Sequence, residues 1–481
     1  MLIAPEYLHQ IYEIKRQFER QFDQFSSNWT GYKVIELKSS DVVGILASRE
    51  DSDGELEYEV DWKATGGAAH ETSGVKHTAI ARGPLLKQFI RTGQPARDES
   101  EDETLEISIE HLDSLDVEAG NPYWRFYQMG FWALLEQVHT EAIATSHSVV
   151  TEWTREDFHL EMVKVLSALP TTLLRGIMGA GVNCRRIADP GIRALLEDNL
   201  VTSKGRLWIY LLEFVDEFGL TVDAGSMRRI IKIIRRYTST NPSIEEINEA
   251  VQIDSVAKDL SPAEKDNVRN GHRGYLSTTT RKSLATFIVA IEPLIAGLAD
   301  DKRLPFVLRD VGYTDQGFRR IFGQHLKHSS SNKVMNLIEA IGLYDRELDN
   351  RYWMQGDVIF LAYRYLQSAL GEVLFSILGQ SYVETGRGFN GVKAGSSTAS
   401  ANKWKITSWQ EWQQDTLDNT PITANLRLEA DRVKAVKERK EFLEKEIARQ
   451  KRINLENEVE WIRRKMAIQE EILHFRDLLL E

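Results

Sequence analysis

The sequence predicts a mainly α-helical protein with an N-terminal α+β module, a large helical body and a long, charged, coiled-coil-like helix toward its C-terminal end. Three observations predict this class. Apolar residues alternate with a period of two only within residues 1–121, they recur at helical spacing from residue 122 onward, and residues 425–481 contain neither Gly nor Pro. The expected segments are 1–121, 122–383, a Gly/Ser-rich loop or linker at 384–404, and 405–481.

The N-terminal module is expected to be acidic and to contain a β-hairpin. Residues 55–63 alternate strictly between apolar and charged side chains, and the apolar segment 42–47 precedes them across a turn that ends in Asp53-Gly54. A helix is expected at 4–25. Residues 1–121 hold 24 acidic and 12 basic side chains, which accounts for the whole net charge of −12. Because such a block repels polyanions, any nucleic-acid surface is expected beyond residue 121.

The body is expected to consist of successive helices, some with clear start signals. Ser243 with Glu246, and Ser261 with Glu264, match the pattern in which a hydroxyl and a glutamate satisfy the first backbone N–H groups of a helix. Residues 207–218 are apolar on most faces and are therefore expected in a central helix. The predicted helices cover 123–144, 155–168, 191–199, 206–218, 226–237, 243–257, 282–299, 332–348 and 357–379.

A tryptophan cluster follows the Gly/Ser-rich stretch. Ser408 and Glu411 match the same capping pattern, which predicts a short helix that carries Trp409 and Trp412, with Trp404 just before it. Aromatic side chains beside a linker often dock it onto a core or a neighbouring subunit. We expect this cluster to attach the C-terminal segment in one of these two ways.

Residues 425–481 are predicted to form one long helix that associates with another chain. Strong helix formers dominate the segment, and a rod of ~85 Å cannot be buried in one small core. Its apolar residues follow two heptad frames that are shifted relative to each other, which indicates an irregular coiled coil or a bend between two helices. The alternative is a long helix packed back on its own body. The predicted contact residues are Val433, Val436, Leu443 and Ile447 in the first frame, and Val459, Ile462, Met466 and Leu473 in the second.

The most basic segment, 226–237, places isoleucines on one face of a helix and cationic side chains on the other. Arginine and lysine provide affinity for phosphate without reading the base sequence, so this face is a candidate contact for DNA or RNA. The alternative is a solvated or salt-bridged helix surface. The cationic residues are Arg228, Arg229, Lys232, Arg235 and Arg236.

Residues 311–333 have the rhythm of a helix–turn–helix. Gly312 and Tyr313 precede an aromatic residue and an Arg-x-Phe spacing, and this short stretch resembles the second DNA-binding helix pair of AraC-type regulators. The resemblance implies a DNA contact. The matching residues in the second part are Phe318, Arg319, Arg320 and Phe322.

Two Glu-x-x-His pairs stand on neighbouring predicted helices, Glu136 with His139 and Glu156 with His159. Dimetal carboxylate proteins hold their ions with such pairs and with a glutamate from each of two further helices. The sequence offers no evident source of those glutamates. The metal-site hypothesis therefore stands beside the alternative of ordinary helix histidines.

No sequence motif defines a reaction or a cofactor. Gly386-x-Gly388-x-x-Gly391 matches a dinucleotide fingerprint by letters only, because no strand is expected before it and no helix after it. The single cysteine and the lack of a signal-peptide pattern indicate a cytoplasmic protein, and charges interrupt every apolar stretch, which predicts no contact with a membrane. We predict a non-enzymatic structural or adaptor subunit that binds protein partners or copies of itself through 425–481. The alternatives are a nucleic-acid-binding protein and an enzyme with a dispersed site.

Overall fold

The computed structural model of the chain contains two compact units. The first comprises Met1–Phe89 with Gly93–Glu99, and the second comprises Ile90–Thr92 with Ser100–Glu481. The expected helix at 4–25 lies outside the residues that the structure describes. Those residues are 42–50, 56–62, 72–76, 96–97, 112, 120–202, 206–257, 260–315, 328, 330–348, 351–395 and 404–480.

The described part of the first unit is an antiparallel sheet with the strand order β3-β2-β1-β4. Strands β1 and β2 pair with Ala47 opposite Glu59, which confirms the predicted hairpin. Glu57 of β2 is opposite Arg49 of β1 and Lys76 of β3, so one acidic position of this strand lies between two basic ones. The strands are β1 (Val42–Glu50), β2 (Leu56–Trp62), β3 (Thr72–Lys76) and β4 (Ala96–Arg97).

The second unit is mainly helical and encloses a three-stranded antiparallel sheet. The strands, in the order β6-β5-β7, are β5 (Trp208–Val215), β6 (Leu308–Thr314) and β7 (Trp353–Leu361). The described helices before β5 are α1 (Trp124–Met129), α2 (Phe131–Ala144), α3 (Ser148–Thr151), α4 (Arg155–Ser167), α5 (Thr171–Met178), α6 (Val182–Ala188) and α7 (Pro190–Thr202). The later ones are α8 (Ala224–Tyr237), α9 (Ile244–Asp254), α10 (Pro262–Arg269), α11 (Thr278–Ile295), α12 (Lys333–Tyr344), α13 (Gln367–Leu378), α14 (Ile406–Asn419) and α15 (Ile422–Leu480). None of the described helices is both long and apolar enough to cross a membrane.

The three-stranded sheet lies between two hydrophobic cores. Successive residues of β5 point to opposite faces, so Ile209 and Leu211 pack with α2, α4 and α13 while Tyr210 and Leu212 pack with α8, α11 and α12. Every residue of β5 is consequently buried. The sheet joins two helical layers into one body.

The predicted helix 206–218 is wrong, because residues 208–215 form β5, and the predicted helix 357–379 is wrong in its first part, because β7 extends to Leu361. A strand that is buried on both faces has a continuous apolar run, and periodicity alone cannot distinguish such a run from a buried helix. The remainder of the predicted helix 357–379 is correct from Gln367 onward, as α13.

Most of the other helix predictions are confirmed, with local differences. The capping boxes of Ser243 and Ser261 both form, at the starts of α9 and α10. The predicted helix 123–144 is divided at Gly130, whose φ of +119° is unsuited to other residues. The start signal at Ser408 is wrong, because α14 begins two residues earlier, at Ile406.

The described part of the Gly/Ser-rich stretch is a loop that packs into the body. Phe389 is buried beside Phe287 of α11, and the Asn390 side chain bonds to both backbone groups of Val311 at 2.8 and 3.1 Å. Gly386, with a φ of +68°, lies against the backbone of Ala290. Residues 384–395 are therefore part of the helical body.

Candidate functional site

The first three turns of α15 are fixed to the body, and we call residues 422–432 the anchor. Asn425 donates hydrogen bonds from Nδ2 to the carbonyl oxygens of Ser167 and Leu169, at 2.9 and 2.8 Å. These carbonyls lie at the C-terminal end of α4, where intrahelical donors are lacking. Ile422 is buried in the same core. The anchor thus closes the end of a body helix.

Glu429 of the anchor caps a second body helix. Its carboxylate accepts a hydrogen bond from the backbone N–H of Trp132 at 3.2 Å, at the start of α2. No side chain within α2 caps this end, and the positive end of the helix dipole favours a carboxylate there. A Cβ on Gly130 would lie 2.8 Å from Glu429 Oε1, so the glycine makes room for the acid.

Beyond the anchor, residues 433–480 of α15, which we call the arm, continue the same helix. Six of the eight predicted contact residues have described side chains, and all six are between 40% and 56% exposed. Further exposed apolar side chains occur along the same length. They are Phe442, Leu455, Trp461, Ile468 and Ile472. The arm therefore carries apolar surface that the described body does not cover.

The arm is one unbroken helix, so the change of frame does not mark a bend between two helices. Helix α15 runs for 59 residues without interruption. Ion pairs between residues three or four apart support it locally, such as Arg449–Glu446 at 2.7 Å and Arg464–Glu460 at 3.1 Å. The prediction of a long helix is confirmed. The alternative to association, a helix packed back on its own body, describes only the anchor.

The tryptophan cluster docks α14 onto the body. Trp409 is buried, and its ring centroid lies 4.8 Å from that of Trp412 in an edge-to-face arrangement. Arg206 lies over the Trp412 ring and pairs with Asp415 of α14 at 2.5 Å. The cluster therefore docks the C-terminal segment onto the chain's own core, which is the first of the two predicted roles.

Four of the five cationic residues on the basic helix, now α8, are paired with carboxylates. The guanidinium of Arg236, for example, makes two hydrogen bonds with Glu249 at 2.5 and 2.7 Å, and this bonding raises its pKa. Lys232 is exposed. The pairs are Arg228–Asp300, Arg229–Asp345, Arg229–Glu347, Arg235–Glu292 and Arg236–Glu249. A phosphate would have to displace these partners, so the geometry favours the salt-bridged surface, and nucleic-acid binding stays a prediction.

The helix–turn–helix expectation at 311–333 is wrong in its first part. Residues 311–314 belong to β6, and Gly312 is paired with Tyr210 of β5. Gly312 is required there because a Cβ would lie 2.3 Å from the Tyr210 hydroxyl oxygen. Arg319 and Arg320 lie outside the described residues.

The two Glu-x-x-His pairs are only partly brought together. The His139 and His159 ring centroids are 6.0 Å apart, and His159 Nε2 is 3.7 Å from Glu136 Oε2. Glu156 instead lies 3.6 Å from the Arg155 guanidinium. Among the described residues, no group of three His, Cys, Asp or Glu side chains is arranged to hold a metal ion, and metal binding by these pairs stays a prediction. Burial lowers the pKa of both histidines.

Sequence reasoning missed two buried polar networks. In one, the Tyr275 hydroxyl lies 3.0 Å from His328 Nδ1, and His328 Nε2 lies 3.0 Å from Glu339. All three residues are less than 7% exposed. Their hydrogen bonds therefore attach the segment at His328 to α12, and none of the three side chains is available to a substrate in solvent. The other network joins Glu213 to Arg309 at 2.9 Å. No local motif reveals either one, because the partners are 11 to 96 positions apart in the sequence.

No protein-family model, curated protein or solved structure matches the chain. Any functional proposal therefore depends on the geometry of α15 and of the body that holds it.

Proposed function

We propose that the protein is a non-enzymatic structural or adaptor subunit of a multiprotein assembly, and that the arm makes its contacts. The observation that supports this proposal is the division of α15 into an anchor and an arm. The hydrogen bonds that Asn425 donates to the Ser167 carbonyl oxygen and that Glu429 accepts from the Trp132 backbone N–H fix the anchor, whereas Leu443, Ile447 and Met466 on the arm face solvent.

Exposed apolar side chains on a long helix favour association. A single helix gains most of its stability in proteins by packing an apolar face. Between Phe442 and Leu473, over ~45 Å of the arm, eleven large apolar side chains are exposed. Burial of one large aliphatic side chain stabilises a complex by about 1.5–3 kcal/mol before the entropic costs of binding. Several such residues on one helix provide apolar surface of the kind that forms the buried centre of an interface.

We expect charged residues on the arm to weaken the assembly. In the full chain, the double substitution Leu443→Glu and Ile447→Glu should lower the affinity of the arm for its partner chains by roughly tenfold or more. Two apolar contacts are then replaced by charges that lose their water on binding. The measurement is the mass by light scattering, together with co-purification from the native cell.

The matched control changes two exposed apolar residues of the body. Ile244→Glu with Val289→Glu adds the same charge at side chains that are 64% and 73% exposed. Both variants should keep the melting temperature of the body. An arm variant that retains its mass and all co-purifying chains would remove the proposal.

A further inference from the structure

Five apolar side chains of the arm form one continuous line on the helix, which we call the stripe. Steps of four and three residues alternate along it, with Gln469 at one polar step, so its members occupy the two inner positions of a heptad repeat. All five are between 40% and 61% exposed. The stripe consists of Leu455, Val459, Ile462, Met466 and Leu473. Such a line is the contact face of a coiled coil, so one partner helix can cover all of it.

An antiparallel second copy of the arm fits the stripe. When Val459 of one helix faces Ile462 of the other, apolar side chains also meet in the neighbouring layers. Arg452, which continues the repeat toward the anchor, then faces Gln469, whose amide oxygen can accept a hydrogen bond from the guanidinium. The other layers are Leu455 with Met466 and Leu473 with Ala448. The twofold symmetry of the pair makes each layer occur twice.

The charged residues beside the stripe are complementary in this alignment. Side chains that flank the apolar positions of two paired helices face each other, and their charges set orientation and register. Glu458 lies beside Lys465 of the second copy. The other flanking pairs are Glu456 with Arg463 and Arg449 with Glu470. All of these pairs join opposite charges, and each occurs twice by symmetry.

Other alignments of two arms bring like charges together. A shift by one heptad in one direction sets Glu458 against Glu458 of the second copy, and a shift in the other direction sets Lys465 against Lys465. A parallel pair in register keeps opposite charges on its flanks but sets Arg452 against Arg452 between the helices, where a charge without a counter-charge is costly. The charges therefore favour the one antiparallel alignment.

The anchor lies outside this pair. In the antiparallel alignment the end of α15 in the second copy, at Leu480, reaches the level of Glu441. That level is about 14 Å along the helix from the last anchor residue, Arg432. The anchor and the pair therefore use different parts of α15, and the anchor contacts of Asn425 and Glu429 are retained.

We propose that the arms of two copies of this chain form an antiparallel coiled coil through the stripe, with Val459 of one copy against Ile462 of the other. This inference rests on the proposed function of the arm as the contact segment, and it names one partner as a second copy. Leu443, Ile447 and Trp461 lie off the stripe and stay outside the pair. They remain accessible to other components of an assembly.

Cysteine cross-linking in the full chain tests the orientation. Leu455→Cys and Met466→Cys are co-expressed on two chains with tags of different mass and mildly oxidised, and each variant is also expressed alone. In the antiparallel pair a disulfide should link the two different variants. Each variant alone should remain unlinked, because its two cysteines are then about 17 Å apart along the helices, beyond disulfide reach. The unsubstituted chain, with Cys184 buried, provides the background.

A third cysteine position is the matched control for the alignment. Leu473 lies on the same line of the stripe as Met466, one heptad further along. In the proposed alignment the cysteine of Leu473→Cys lies ~10 Å along the helices from that of Leu455→Cys in the second copy, so these two variants should not link. A disulfide between them would show an alignment shifted by one heptad.

A charge exchange tests whether the partner is a second copy. Glu458→Lys should weaken the pair roughly tenfold, because two attractive contacts become repulsive, and the addition of Lys465→Glu should restore it. Neither position has a charged residue three or four positions away, so an ion pair within one helix cannot explain the rescue. In a parallel pair the double variant would instead place like charges beside Arg463 and Glu470, so rescue also distinguishes the two orientations.

Four results would overturn the inference: no mixed disulfide between Leu455→Cys and Met466→Cys, a disulfide from either variant alone, a link between Leu455→Cys and Leu473→Cys, or no rescue by Lys465→Glu. The proposed function is tested separately, because Leu443 and Ile447 lie outside the pair. If their substitution by glutamate removes bound chains while the pair fails these tests, the proposed function stands and the partners are different proteins. Sedimentation of the purified chain gives the dissociation constant for each charge variant.

Discussion

Glu213 is the residue whose environment departs most from its sequence context. It lies in the apolar strand β5 and is fully buried, yet its carboxylate accepts backbone hydrogen bonds from Val182 and Asn183 at 2.9 Å each. Arg309 of β6 donates to it at 2.9 Å and also reaches the carbonyl oxygen of Gly176 at 2.8 Å. This pair ties the central sheet to the turn between α5 and α6.

We expect Glu213→Gln to destabilise the second unit strongly. The substitution keeps the size of the side chain but leaves the Arg309 guanidinium buried without a counter-charge, which should lower the free energy of unfolding by about 3–5 kcal/mol. Denaturant titration followed by circular dichroism measures the change.

The control is Glu292→Gln, which removes the carboxylate paired with Arg235 on the surface. Both partners of that pair are more than 40% exposed, so a loss below about 1 kcal/mol is expected. Equal losses in the two variants would show that burial of the pair is not the cause.

At the scale of elements, the sequence predicts those whose signals are local. Helices α9 and α10 are correct because their capping boxes are complete within four residues. Strands β5 and β7 are missed because both of their faces are buried, a property that only the surrounding helices determine. The arm was predicted from composition alone, whereas the anchor contacts of Asn425 and Glu429 join residues more than 250 positions apart.

Gly312 tests the pairing of β5 with β6. We expect Gly312→Ala to lower the free energy of unfolding by roughly 1–3 kcal/mol, because the new methyl group would overlap the Tyr210 ring in a packed core. Thermal unfolding measures the shift. Gly297→Ala is the control, since no atom lies within 4 Å of its added Cβ. If Gly312→Ala is as stable as this control, the close approach of the two strands is not a constraint.

At the scale of the whole molecule, stability should depend on pH through buried histidines. Burial lowers the pKa of His139, His147 and His159 in the folded chain. The unfolded chain, with ordinary histidine pKa values near 6.5, therefore binds more protons as the pH falls. The folded state loses stability as the pH decreases below about 6.5, and the loss continues until the histidines also titrate in the folded chain.

His159→Phe should reduce this dependence. The side chain is fully buried with its ring edge-to-face against Trp132, an arrangement that phenylalanine can retain. Burial is the largest cause of the lowered His159 pKa; His139 and Arg155 lower this pKa further, whereas Glu136 raises it. The substitution removes the buried titratable group and with it this contribution to the pH dependence. The urea midpoint at pH 7.5 and at pH 5.5 measures the effect. The unsubstituted chain should lose more stability between these values than His159→Phe does, and an equal loss would mean that His159 is not a source of the pH dependence.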